Sequence, residues 1–198
     1  MPYSSAAPLP FSPVKVSTVP VPVGYSARSV PAPLAIKAEG APEAEVSCIT
    51  APVSLGVRRP TKEALDEAYD TLIALGDDYK KSVPGSAGYQ KTFYAMQAMM
   101  RMLDKRNSIE TSVQILDICG VKLVGYPVQL FTEFGKATKA GIPGAMVSIF
   151  ANDYLGYGPT PEMIRPGVYE ARLCATSMLA PDTGDRLVNT AVEAVKSL

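Results

Sequence analysis

Apolar residues recur at helical spacing from Leu65 onward, where Leu65, Ala68, Tyr69, Leu72 and Leu75 share one face. Thr61 precedes them as a cap, and Glu63 and Asp66 sit where the positive end of a helix dipole would lie. A second helix is predicted from about Gly88 to Lys105, because Tyr89, Phe93, Met96, Met100 and Leu103 step by four, three, four and three. Pro84 and Gly85 separate the two, so they read as a helical hairpin with one buried face each. The methionine cluster Met96, Met99, Met100 and Met102 could line an adaptable groove, but a stripe at this spacing reads as core. Met96, Met100 and Leu103 are therefore expected to be buried.

A short apolar run, Val46–Val53, precedes the hairpin. From Thr111 the period changes to that of strands: TSVQILDI and VKLVGYP are β-branched runs joined through Cys119-Gly120 as a tight hairpin, and AMVSIFA is a third strand. Between them FTEFGKATKAG reads as a short helix ending at Gly141, and a last amphipathic helix from about Thr183 places Leu187, Ala191, Val195 and Leu198 on one face. The order predicts an α/β layered domain over 46–198, with a helical hairpin, a short mixed sheet and a C-terminal helix.

Residues 1–45 follow neither period. The stretch is dense in Pro, Ser, Val and Ala, which prevents helix and interrupts ladders, and it reads as an extended arm or linker. A transit-peptide reading lacks amphipathic spacing, and no secretory h-region is present. Before Glu39 the arm holds Lys15, Arg28 and Lys37 and no acid, a charge of +3 that leaves −3 on the remainder. Its apolar side chains, Val19, Val21, Val23, Tyr25, Leu34 and Ile36, would be exposed in a free arm, so the arm is expected to contact a protein partner as a strap.

Composition narrows the chemistry. Basic and acidic residues balance at 19 each, so there is no net field to hold nucleic acid. No apolar run reaches the length of a membrane helix. The chain has no histidine, which removes the usual general base and imidazole metal ligand. Cys48, Cys119 and Cys174 are too few and too scattered for a disulfide framework or a C-x-x-C site. With no N-glycosylation acceptor in the sequence, this points to reduced thiols and to a soluble, non-secreted protein of the cytoplasm or an organellar interior.

Four stretches from Val53 onward carry a resemblance: LGVRRPTKEALDEAYDTL, VQILDICGVKLVGYPVQLFTEFG, FANDYLGYGPTPEM and YEARLCATSMLAPDTGDRLVNTAVEAV. Together they resemble the C-terminal part of the catalytic domain of the neutral/alkaline ceramidase-like family. The second and third are the most specific, matching a hairpin that ends in G-x-P-G-E before a helix and a later A-N-x-Y-x-x-Y segment. The resemblance implies zinc-dependent hydrolysis of an N-acyl amide, with two histidines, a glutamate and a tyrosine around the metal. That glutamate falls on Gln129 and the tyrosine on Tyr154, while the family's histidines lie in a portion without a counterpart in this sequence.

An amide oxygen is a weaker zinc donor than a carboxylate, so Gln129 reads as a degraded ligand or as a polar residue opening the helix Leu130–Ala140. Tyr154, Tyr157 and Asn152 could line a polar pocket, with half-buried loop aromatics as the alternative, and Asn152 and Asp153 are expected to shape a turn. Glu133 and Asp117 are the carboxylates expected near that pocket, as solvated charges, and Thr160-Pro161-Glu162 reads as a capped helix start. The expectation is a non-catalytic, cofactor-free ceramidase-like domain acting as a structural or interaction subunit. The alternatives are the C-terminal piece of a split zinc hydrolase, or a remnant that binds a lipid amide without turnover.

Overall fold

A computed structural model describes residues 45–76, 83–86 and 88–198, so the expected arm lies outside the described residues. The run that begins at Val46 extends to Gly56 as strand β1. Helices α1 (Lys62–Leu75) and α2 (Tyr89–Leu103) follow, then β2 (Ser108–Ile118), β3 (Val121–Tyr126), β4 (Gln129–Leu130), α3 (Thr132–Gly141), β5 (Met146–Ile149), β6 (Tyr157–Gly158) and α4 (Thr183–Ala194). The architecture is a layered α/β domain. No described helix is long and apolar enough to cross a membrane.

The main sheet has the order β1-β2-β3-β5, antiparallel except for the parallel β3–β5 pair, and β4 and β6 form a separate parallel pair. Cys119 and Gly120 join β2 to β3, both with positive φ (53° and 86°), as a two-residue turn between right-twisted strands requires. Asp117 completes that turn, accepting from Gly120 N at 2.8 Å and from Lys122 Nζ at 3.0 Å. Lys122 and the turn hold its carboxyl below the usual range.

Alternation along the strands sends Ala51, Val53, Leu55, Val113, Ile115, Val124 and Tyr126 to one face, where α4 packs across β1 and β2 with Leu187 and Ala191 fully covered. Val195 continues that face half-buried, whereas Leu198 stands exposed. Helix α3 lies beside α4, and the Phe134 ring presses on the α4 backbone at Gly184, where a Cβ would collide with it. Tyr126 is enclosed in this layer. Thr138 Oγ1 donates to Phe134 O at 2.8 Å, so the Tyr126 hydroxyl must donate to Thr138 Oγ1, also at 2.8 Å.

The helical hairpin forms as expected, with Thr61 Oγ1 accepting from Ala64 N at 3.2 Å. Its methionine face does not pack as expected. Met96, Met100 and Leu103 are exposed, Met100 at 54% and Leu103 at 70%. The reason lies on the neighbouring face of α2. Tyr94 lies under the Arg172 guanidinium at 3.7 Å, Gln97 Oε1 accepts from Ala175 N at 2.9 Å, and Arg101 contacts Met178 Sδ at 2.9 Å. These residues, at i, i+3 and i+7, attach α2 to the segment before α4. Thr92 and Ala95 are the buried positions of α2, which packs beside α1, and the methionine stripe is left exposed.

Two outcomes follow. Met100→Ala should change stability by less than about 0.5 kcal/mol in denaturant melts, whereas Ile115→Ala should cost ~2–5 kcal/mol. Burial pushes the Tyr126 hydroxyl up to about 12. A folded-state value above the unfolded value of ~10 gives stability that is present below pH ~10 and lost as pH rises toward 12. Tyr126→Phe should therefore lose less stability than wild type over that window, in melts recorded at stepped alkaline pH.

Candidate functional site

The parallel strands β3 and β5 end together, and the chain leaving each of them forms the region that holds the candidate residues. Ala151 N donates to Tyr126 O at 2.8 Å, Leu155 N to Pro127 O at 3.0 Å and Gln129 N to Gly156 O at 2.8 Å, so loop 150–157 is zipped onto the end of β3. Gln129 thus lies in β4, paired with Tyr157, and does not open a helix; Phe131 is the residue before α3. Pairing with the loop claims the backbone that a helix start would have needed free.

The loop is strained. Phe150 (φ 54°) and Asn152 (φ 68°) both adopt the left-handed region, unusual for Asn and an outlier for a bulky aromatic. Asn152 does shape the turn, and its Nδ2 donates to Gln114 Oε1 on β2 at 3.2 Å. Asp153 Oδ1 accepts from Tyr154 N at 2.7 Å. Phe150 stacks on Tyr154 with centroids 5.1 Å apart, and Tyr154 remains 62% exposed.

Tyr157 turns the other way, meeting Tyr169 edge-to-face at 6.0 Å. Burial, then the neighbouring Tyr169 and Tyr154, raise its hydroxyl above the ordinary tyrosine value. Gly156 (φ 81°) allows this approach, since a Cβ there would run into the Thr176 backbone. The three expected pocket residues therefore share a loop but direct their side chains to three different neighbours. Asp117 lies at the opposite end of β3 and is no part of this region, and Glu133 is exposed in the first turn of α3. Thr160 precedes only a three-residue 3-10 turn and makes no side-chain cap.

Zinc, implied by the resemblance, does not fit the described residues at this junction. No group of three or more His, Cys, Asp or Glu that could hold a metal occurs among the described residues. Gln129 and Tyr154 offer one neutral amide and one exposed phenol. The three cysteines are free, Cys119 at the exposed hairpin tip and Cys174 buried.

Two residues missed by pattern reading fix the region's far wall. Arg58, one residue beyond the bridge that continues β1, donates Nε to Leu179 O at 2.9 Å, Nη1 to Ala171 O at 2.9 Å, and Nη2 to Ser177 O at 2.7 Å and Ser177 Oγ at 2.9 Å. This holds the segment that presents Tyr169. Arg59 reaches Arg101 O at 3.1 Å and Arg106 O at 2.7 Å at the end of α2. An RR pair before a proline gives no sequence signal for either role.

No protein-family model matches the chain, and neither does any curated protein. Solved structures similar to it include the following two. A ceramidase complexed with C2 matches 46% of this chain and 16% of its own length, at 21% identity and a TM-score of 0.36. The neutral ceramidase from Pseudomonas aeruginosa matches 74% of this chain and 28% of its own length, at 14% identity and a TM-score of 0.40. The chain thus spans under a third of the length of either.

Arg58→Lys keeps the charge but cannot serve three separate carbonyls, so it should destabilise the fold by ~1–3 kcal/mol in denaturant melts. A wild-type midpoint for Arg58→Lys would show that the clamp is dispensable.

Proposed function

We propose that the domain is non-catalytic and acts as a structural or interaction subunit of a larger assembly. The observation that carries this reading is the donor set at the β4–β6 junction. The two positions that resemble the family's metal ligands are Gln129 and Tyr154, one neutral and the other stacked on Phe150, and no histidine exists in the chain to join them. A zinc ion needs three or four N, O or S donors to lower the pKa of its water, and an amide carbonyl needs that Lewis acid.

One observation favours a second reading, the C-terminal piece of a split zinc hydrolase. Gln129 and Tyr154, far apart in sequence, arrive at one junction through the Gln129–Gly156 and Leu155–Pro127 backbone bonds. On that reading a separate chain would supply the histidines.

The purified chain is expected to hold no stoichiometric zinc and to release no fatty acid from an N-acyl amide. Metal analysis finding one tightly held zinc per chain, or turnover by the chain alone, would overturn the non-catalytic reading. Activity that appears only with an added N-terminal chain and rises with Gln129→Glu would establish the split enzyme.

A further inference from the structure

Strand β1 is the outermost strand on its side of the main sheet, and among the described residues nothing pairs with its outer edge between Cys48 and Ser54. Just beyond, the edge is already closed: Ala180 N donates to Gly56 O at 2.8 Å and Arg58 N to Met178 O at 2.7 Å, while Val57 N bonds inward to Asn107 O at 3.0 Å. These bonds fix the parity of the strand. Odd-numbered residues bond to β2, and Cys48, Thr50, Pro52 and Ser54 turn their backbone groups outward. Pro52 agrees with this, because at an outward position its missing N–H breaks no bond to β2. On the core side of the edge, Ile49 and Ala51 face Thr190, Glu193 and Ala194 of α4 across a groove of about 540 Å³.

We propose that residues 19–25 of this same chain, VPVPVGY, occupy this edge as a strand parallel to β1, with Val19, Val21 and Val23 in the groove. The alternation of valine and proline selects the direction. In a parallel pair, residues in register turn their backbone groups in opposite senses, so the residues beside Ile49 and Ala51 would direct their N–H groups to β1 and the residues between them would face solvent. With the valines inward, Pro20 and Pro22 then fall where no donor is needed. In an antiparallel pair with the valines inward, both prolines would face the outward carbonyls of β1 with nothing to donate. A parallel partner needs a connection of roughly a dozen residues or more, and residues 26–44 provide 19. At about 3.3 Å per residue they reach ~60 Å, well beyond the ~36 Å length of β1. The edge and the segment that fits it are independent of whether the domain turns over a substrate.

The test is amide hydrogen exchange at Thr50 and Ser54 in the full chain, with the interior amide of Ile115 as the control for folding. Both outward amides are expected to be protected, independently of protein concentration. Val21→Pro, which removes an N–H aimed at β1, should speed their exchange by about tenfold or more with Ile115 unchanged. Pro22→Val, which adds only a solvent-facing N–H, should leave the protection intact. Unprotected amides in the wild-type chain would overturn the proposal, as would protection insensitive to Val21→Pro. Protection that disappears on dilution would also overturn it and would assign the edge to another copy's arm, the strap between subunits.

Discussion

The arrangement of the domain depends on the guanidinium of Arg58. Its planar fork meets three carbonyls, those of Ala171, Ser177 and Leu179, that no strand or helix satisfies. Burial lowers its pKa, and four hydrogen bonds to the segment offset the cost of enclosing the charge. The segment it holds is the platform for α2, through Arg172, Ala175 and Met178, and for Tyr157, through Tyr169 and Thr176. Arg59 then fixes the end of α2 beside Asp104, which Arg106 and Arg101 keep ionised far below the usual carboxylate range.

That polar attachment explains what the helical pattern could not reveal. Periodicity identifies a stripe on α2 but not the surface it meets, and Met96, Met100 and Leu103 have the spacing of a core face whether or not anything covers them. Tyr94, Gln97 and Arg101, unremarkable in sequence, carry the docking because their partners, a guanidinium, a backbone amide and a thioether, lie a long way down the chain. Local signals fared better. The Thr61 cap, the Cys119-Gly120 turn and the Leu187–Ala191 face each depend on residues within a few positions, and each is present.

The candidate site divides along the same line. Asn152 and Asp153 were legible as turn formers because their side chains act on nearby backbone and on one strand neighbour. Gln129 was not, because its pairing with Tyr157 depends on two crossovers meeting beyond the parallel β3–β5 pair. A helix reading for Gln129 followed from the run after it, and α3 in fact begins at Thr132.

Strain in loop 150–157 shows how firmly the sheet controls that junction. Each non-glycine residue in an unfavourable backbone region costs on the order of 1–3 kcal/mol, and Phe150 and Asn152 stand two residues apart. Ala151, between them, is bonded to the end of β3, Asn152 is tied to β2 through Gln114, and Tyr154 covers the Phe150 ring. These contacts come from strands β2 and β3, whose Val113, Ile115 and Val124 belong to the buried core, and the loop's own Leu155 packs against that core. The loop therefore takes its shape from the protein's own strands, and its two tyrosines diverge, Tyr154 to Phe150 and Tyr157 to Tyr169. The energy that maintains the loop is supplied by the sheet beneath it, so its backbone shape does not depend on what its exposed side chains contact.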